Sequence, residues 1–320
     1  MVQALVTAAV VVAALLAVGA AAATALSLAG IAVATAPAAT VAVVRDRRAD
    51  GPFTRTLLVL TAIDDVIALS LFGLLVTAAS FVSEGERDLS LLTESLWEVG
   101  GAIGLGLLVG VPSAFLTGRL RPGEPTQEEA YGAVLLCAGL AIATDVSFLL
   151  AAVVMGATVA NTARHHERPF REIERIEWPA LVVFFVLAGA SLELETLAEI
   201  GVVGAAYGLA RTAGKLIGCR LGGGLVGIEP AGAWWLGGAM LPQAGVALGL
   251  TLLAADRFPA IADEIVPVVI VATVVFELVG PLLTGHALQR VGEAGAMPAP
   301  DDDELGVRGD DDPPQEDVRP

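Results

Sequence analysis

The chain has 320 residues, of which 55% are apolar and only 17% charged, and its mean hydropathy is +0.75. A soluble globular domain carries about 25% charged residues, so the composition excludes a soluble multidomain enzyme and a disordered chain and points to a polytopic helical membrane protein. The formal charge of −17, from 18 basic and 35 acidic residues, argues against a nucleic-acid partner, because gripping a phosphate backbone needs a basic face.

Residues 1 to 44 carry no charge at all. They have room for two spans of about 20 residues each, with a turn near Gly19. A cleaved signal peptide would need a positive leader, which Met1-Val2-Gln3 does not supply. Further spans are predicted at 54–82, 97–118, 128–145, 147–163, 177–192, 197–220, 231–254 and 265–288, about ten helices in all. The apolar runs are long and unbroken, unlike the alternating segments of a membrane β-barrel.

Orientation follows from the arginines. Arg45, Arg47, Arg48, Arg55, Arg119, Arg121, Arg164, Arg168, Arg171, Arg175, Arg220 and Arg290 fall in one set of loops. The alternate loops hold only Arg87 and Arg257. The positive-inside rule then places both termini in the cytoplasm, consistent with an even number of spans in the cytoplasmic membrane. Beyond about residue 291 the chain turns acidic, with Asp301-Asp302-Asp303-Glu304 and Asp310-Asp311-Asp312 among Gly and Pro. Such a stretch cannot bury a core, and 291–320 is expected to be a disordered cytoplasmic tail. Cys137 and Cys219 lie far apart in apolar runs and read as small buried hydrophobes.

Two short segments resemble each other. Pro37-Ala38-Ala39-Thr40-Val41-Ala42-Val43 lies in the second predicted helix and Pro242-Gln243-Ala244-Gly245-Val246-Ala247-Leu248 in the ninth. Pro, Ala, Val and Ala match at the same offsets, and the two helices are expected to run in opposite directions. Paired proline-interrupted helices in inverted halves mark a transporter binding site.

The chemistry concentrates in a few polar residues inside the spans. Asp64-Asp65 lies within Thr61-Ala62-Ile63-Asp64-Asp65-Val66-Ile67-Ala68-Leu69. One aspartate at mid-membrane costs roughly 2.5–3.5 kcal/mol, so two adjacent ones imply a function. A carboxylate facing a water-filled cavity can hold a proton or a hard cation such as Na⁺, and exclusive occupancy by one or the other is the simplest antiport device. Lys215, the only lysine in the chain, lies in the eighth span with Arg211 one helical turn away. Either can pair with an acid of the third span. Lysine can release its proton when buried, whereas arginine effectively cannot. Thr40 follows the first break, where a hydroxyl is a reasonable cation ligand. Glu277 is a third buried acid, placed either to brace Arg211 or to line the pathway. Asp145 falls between two short spans at the outer surface, and His165-His166 lies in an arginine-rich polar loop.

In these segments the chain resembles the monovalent cation:proton antiporters, particularly the Kef/Nap-type sodium/hydrogen exchangers. The resemblance is carried by Ala34-Thr35-Ala36-Pro37-Ala38-Ala39-Thr40-Val41-Ala42-Val43, the Asp64-Asp65 pair and Phe184-Phe185-Val186-Leu187-Ala188-Gly189-Ala190-Ser191-Leu192. Arg211 to Lys215, Leu241-Pro242-Gln243-Ala244-Gly245 and Phe276-Glu277-Leu278-Val279-Gly280-Pro281 complete it. It implies an all-α membrane fold in which two broken helices cross near a carboxylate. It also implies a core domain formed by 1–82 and 197–290, a linker helix at 97–118 and a panel at 128–192 that dimerises. Relatives have about thirteen helices, so three N-terminal ones, half of the panel, are expected to be missing, to be supplied by upstream sequence or a partner. Some relatives carry an acid just after the threonine of the first break, where this chain has Val41.

The function implied is an elevator-like exchange of Na⁺ or K⁺ for H⁺, without cofactor and without enzymatic activity; electrogenic Na⁺/H⁺ exchange is the leading expectation, electrogenicity being favoured by the Asp pair with a lysine. K⁺/H⁺ exchange and a truncated, non-transporting scaffold are the alternatives. By the resemblance, Asp65 binds the ion and Asp64 pairs with Lys215; the Thr40 hydroxyl after the first break is the further cation ligand that the residues suggest. Arg211, Glu277, Pro37 and Pro242 support it. An intramembrane aspartyl protease is disfavoured, because two aspartates sharing one proton sit on separate helices, whereas adjacent helical residues point about 100° apart. The expected partners are H⁺, a monovalent cation, the lipid bilayer and a second copy of the chain.

Overall fold

In the computed structural model, residues 1–84, 89–117, 126–163 and 201–297 are described, together with single helical positions between 173 and 186. Every regular element among them is helical. In chain order these are α1 (Val2–Ala17), α2 (Ala22–Val33), α3 (Pro37–Asp46), α4 (Pro52–Glu84), α5 (Leu89–Thr117), α6 (Thr126–Ala143), α7 (Phe148–Thr162), α8 (Gly201–Leu225), α9 (Pro230–Ala239), α10 (Gly245–Arg257) and α11 (Pro259–Arg290). The pairs α2–α3 and α9–α10 are each one predicted span interrupted by a short non-helical stretch. The expected spans therefore recur in order, except 177–192, which lies largely outside the described residues. By length and hydropathy alone, Ala22–Asp46, Pro52–Ser80 and Pro259–Arg290 suffice to cross a bilayer. Helix α8 is long enough but carries Arg211, Lys215 and Arg220.

Proline opens four of the described helices. Pro37, Pro230 and Pro259 stand in the first turns of α3, α9 and α11, and Pro52 opens α4. There the missing N–H costs nothing and the fixed φ is already helical. Pro37 thus opens the second half of its broken helix, whereas Pro242 lies within the second break. Gly19 makes the expected α1–α2 turn at φ +87, a left-handed conformation that favours glycine.

The helices pack as two groups. In the first, α1 lies along α8, α2 along α4, α8 along α9, and α10 along α11. Their shared core includes Leu15, Leu28, Ile31, Phe72, Tyr207, Leu250, Ile265 and Phe276. Gly214 and Gly218 face α1 so closely that a Cβ on either would fall 2.7 Å from the Cα of Thr7 or Gln3. This glycine pair, four residues apart, is the small-residue pattern that lets membrane helices approach. In the second group α5, α6 and α7 pack around Ala102, Val109, Cys137, Ala141, Val146 and Met155. Both cysteines are free and buried, Cys137 in this group and Cys219 against Met240 in the first.

Residues 291–297, expected to belong to a disordered tail, are instead bonded to the start of α4 and the turn before it. Glu293 accepts hydrogen bonds from Phe53 N (2.8 Å), Thr54 N (2.7 Å) and Thr54 Oγ1 (2.7 Å), capping α4. Gly295 and Met297 donate backbone bonds to Arg47 and Arg48. The physical reason is that the first N–H groups of α4 have no partner inside the helix, and a carboxylate satisfies them while facing the positive end of the helix dipole. The acidic runs after residue 300 lie outside the described residues.

Candidate ion-binding site

The two breaks meet. The Ala36 N–H donates to the Pro242 carbonyl at 2.9 Å, and Gly280 of α11 leaves no room for a Cβ beside Pro242, whose N would stand 2.6 Å from it. Breaking a helix inside a membrane exposes carbonyls that water cannot reach, and each must find a donor within the protein.

Two buried cations on α8 supply those donors. Arg211, wholly buried, donates from Nε to Ala32 O (3.1 Å), from Nη2 to Ala34 O (2.9 Å) and from Nη1 to Leu241 O (2.8 Å). Its guanidinium lies 4.3 Å from the centre of the Phe276 ring, a cation–π contact. One rigid fork thus ties the end of α2 to the second break. Lys215, one turn along and also wholly buried, donates to Val33 O (2.5 Å), Thr35 Oγ1 (2.6 Å) and Asp64 Oδ2 (2.7 Å). Thr35 Oγ1 in turn donates to Asp64 Oδ2 at 2.5 Å. Gln243, in the second break, donates from Nε2 to Ile31 O and Tyr207 Oη, both at 3.2 Å. Both cations sit at the C-terminal, negative end of α2, where positive charge is favoured.

Asp64 and Asp65 lie near the middle of α4. Asp64 is on the buried face with Leu57, Thr61, Ala68 and Phe72, and Asp65, one position on, is half-buried. The structure therefore gives the adjacent carboxylates different surroundings: Asp64 is buried against the lysine and the threonine of the first break, whereas Asp65 is half-buried, with its Oδ1 shielded from solvent.

The remaining sequence-predicted residues are distributed as follows. Thr40 is wholly buried in α3, where its hydroxyl donates to its own Ala36 carbonyl at 3.2 Å. Thr35, which the sequence reading passed over, is the threonine at the ion pair. Its signal was its place two residues before Pro37, inside the break rather than after it. Glu277 does not brace Arg211, which is held by three carbonyls and Phe276. Glu277 is half-buried in α11, with Oε2 buried and without a hydrogen-bond partner among the described residues. Asp145 lies in the exposed turn between α6 and α7 at φ +53. His165 and His166 fall outside the described residues, as does most of 184–192.

A membrane bundle whose two interrupted helices cross beside buried carboxylates and buried cations has the architecture of a secondary transporter. The family model for the transmembrane region of sodium/hydrogen exchangers matches residues 1–290, and the chain belongs to that family: it is a multi-pass cation/proton antiporter and not an enzyme. Its fold is similar to that of the sodium proton antiporter MjNhaP1 from Methanocaldococcus jannaschii at pH 8. The TM-score is 0.66 at 16% identity, over 92% of this chain and 77% of that one. No curated protein sequence matches the chain.

Proposed function

We propose that the protein exchanges Na⁺ for H⁺ across the cytoplasmic membrane, with Asp65 as the carboxylate that proton and cation occupy in turn. The observation that carries this reading is the Lys215–Asp64 contact of 2.7 Å at the crossing of the two breaks. It provides Asp64 with a fixed partner charge and leaves the two acids with distinct tasks. A cation arriving at Asp65 adds positive charge one residue from the pair, weakens the hold of Lys215 on Asp64, and draws Asp64 toward the ion. A proton arriving at Asp65 removes the negative charge that holds the cation. The two ligands therefore exclude each other, which is the requirement for coupled exchange.

In this reading α1–α4 and α8–α11 form a core that moves as a unit, α5 is the linker, and α6 and α7 belong to a panel that associates with a second copy. Both termini lie in the cytoplasm. Na⁺ is favoured over K⁺ because two carboxylates and the Thr40 hydroxyl make a compact, hard-oxygen site. Everted membrane vesicles carrying the protein test the proposal. Addition of Na⁺ collapses a respiration-driven pH gradient, while K⁺ at the same concentration does so weakly. An equal response to K⁺ would reassign the cation, and no response to either would remove the transport reading.

A further inference from the structure

The first break releases one hydroxyl from the local bond that several helical threonines of this chain make. Inside helices, Thr40, Thr61, Thr212, Thr251 and Thr284 each return their proton to the carbonyl four residues back. That local bond is the default for threonine in an apolar helix. At Thr35 it is not made. The chain leaves the helix at Ala34, whose ψ is 139°, and the carbonyl four residues back, Ile31 O, receives the Ala34 N–H and the Gln243 amide instead.

The freed hydroxyl sits at a junction. It accepts a hydrogen bond from Lys215 Nζ at 2.6 Å and has one proton to give. Two acceptors are within reach: Asp64 Oδ2 at 2.5 Å and the Met240 carbonyl at 3.4 Å. Met240 ends α9, so its carbonyl belongs to the second break. Thr35 is 1% exposed, and no water competes from the surface. Rotation about one side-chain bond therefore moves the proton between the acid of the ion pair and the backbone of the opposite break. While Asp64 is charged and close, its oxygen wins, because a hydrogen bond to an ionised acceptor is roughly twice as strong as one to a neutral carbonyl.

We propose that Thr35 is a positioning residue for exchange, a two-position hydroxyl that couples the Asp64–Lys215 pair to the second broken helix. With the pair closed, Thr35 bonds Asp64 and helps Lys215 hold it. When Asp64 moves toward an incoming cation, the Thr35 proton turns to Met240 O. Lys215 keeps Thr35 Oγ1 and Val33 O as acceptors, and the α9 end gains a bond it lacked. The hydroxyl thus keeps its own proton bonded in both arrangements and leaves Lys215 two of its three acceptors when Asp64 departs, which lowers the barrier between them and links the state of the acid to the geometry of the break. Because this inference rests on the ion-pair reading of Asp64 and Lys215, the experiment separates the two.

Thr35→Val keeps the shape and removes the hydroxyl, and Thr35→Ser restores it. Both are reconstituted in proteoliposomes, with Asp64→Asn alongside. Cation-dependent proton flux is measured against Na⁺ concentration, and thermal stability in detergent is recorded for each variant. The expected result is that Thr35→Val lowers kcat roughly tenfold, the scale set by losing one hydrogen bond to a charged group. The KM for Na⁺ should change less than twofold, and Thr35→Ser should recover most of kcat. If Thr35→Val raises KM at unchanged kcat, Thr35 is a direct cation ligand and the switch is wrong. If Thr35→Ser is as slow as Thr35→Val at equal thermal stability, the hydroxyl is not the active part. If Asp64→Asn keeps wild-type flux and stability, the ion-pair reading falls. If Asp64→Asn is impaired while Thr35→Val is not, the pair stands and the Thr35 proposal falls.

Discussion

At the scale of single residues, the site is organised by matching charge to broken backbone. Arg211 and Lys215 are tolerated in the membrane because each has several fixed oxygen partners. Removing one partner from a buried ion pair costs about 3–5 kcal/mol, since the other charge is left without compensation. Lys215→Ala is therefore expected to lower the melting temperature in detergent more than Asp64→Asn, which keeps an oxygen to accept from Thr35 and Lys215. Equal melting temperatures for Lys215→Ala and wild type would contradict the pairing. Arg211→Lys should also destabilise, because one ammonium cannot reproduce a fork that spans two breaks. The loss of two carbonyl partners sets a scale of about 2–6 kcal/mol.

The acids and the lysine were legible in the sequence because a charge amid apolar residues is costly and stands out. Thr35 and Thr40 could not be told apart in that way, since both are neutral and both flank Pro37. What separates them is backbone geometry. After Pro37 the helix resumes, and the Ala36 carbonyl claims the Thr40 hydroxyl; before Pro37 the ladder is interrupted and the Thr35 hydroxyl is free to reach across the chain. Glu277 was ambiguous for a related reason. Spacing along one helix cannot say which neighbour a side chain meets, and Arg211 was already satisfied by backbone groups that leave no mark in the sequence.

At the scale of elements, apolar runs and prolines placed the spans, because each crossing must satisfy its own backbone in lipid. Their order also showed the repeated pattern of helix, broken helix and long helix in α1–α4 and α8–α11. The close contact of α1 with α8 was not legible, as it depends on Gly214 and Gly218 facing Thr7 and Gln3. A leucine at either glycine cannot be accommodated without separating the helices, and Gly214 adjoins Lys215 in sequence. Gly214→Leu is expected to destabilise by more than the roughly 1–3 kcal/mol typical of overpacking and to reduce exchange, whereas Gly73→Leu, where a Cβ meets nothing within 4 Å, should leave both close to wild type. The Glu293 cap gives a second test at this scale. Glu293→Ala should cost about 1 kcal/mol, the usual worth of a helix cap, and speed hydrogen exchange at Phe53 and Thr54, with transport retained.

At the scale of the whole molecule, the two groups of helices have their own cores, a construction suited to one group moving against the other. The buried network of Arg211, Lys215, Asp64, Thr35 and Gln243 lies entirely within the first group. In the proposed mechanism it therefore travels with the core, and Asp65 is the carboxylate that takes up and releases proton and cation on either side. This claim is tested most directly by purified Asp65→Asn in proteoliposomes under an imposed pH gradient. Asparagine keeps nearly the same volume but can neither release a proton nor offer a full negative charge. The account predicts a folded protein with near wild-type thermal stability and no Na⁺-dependent proton flux at any pH. Flux near the wild-type rate in that variant would contradict it.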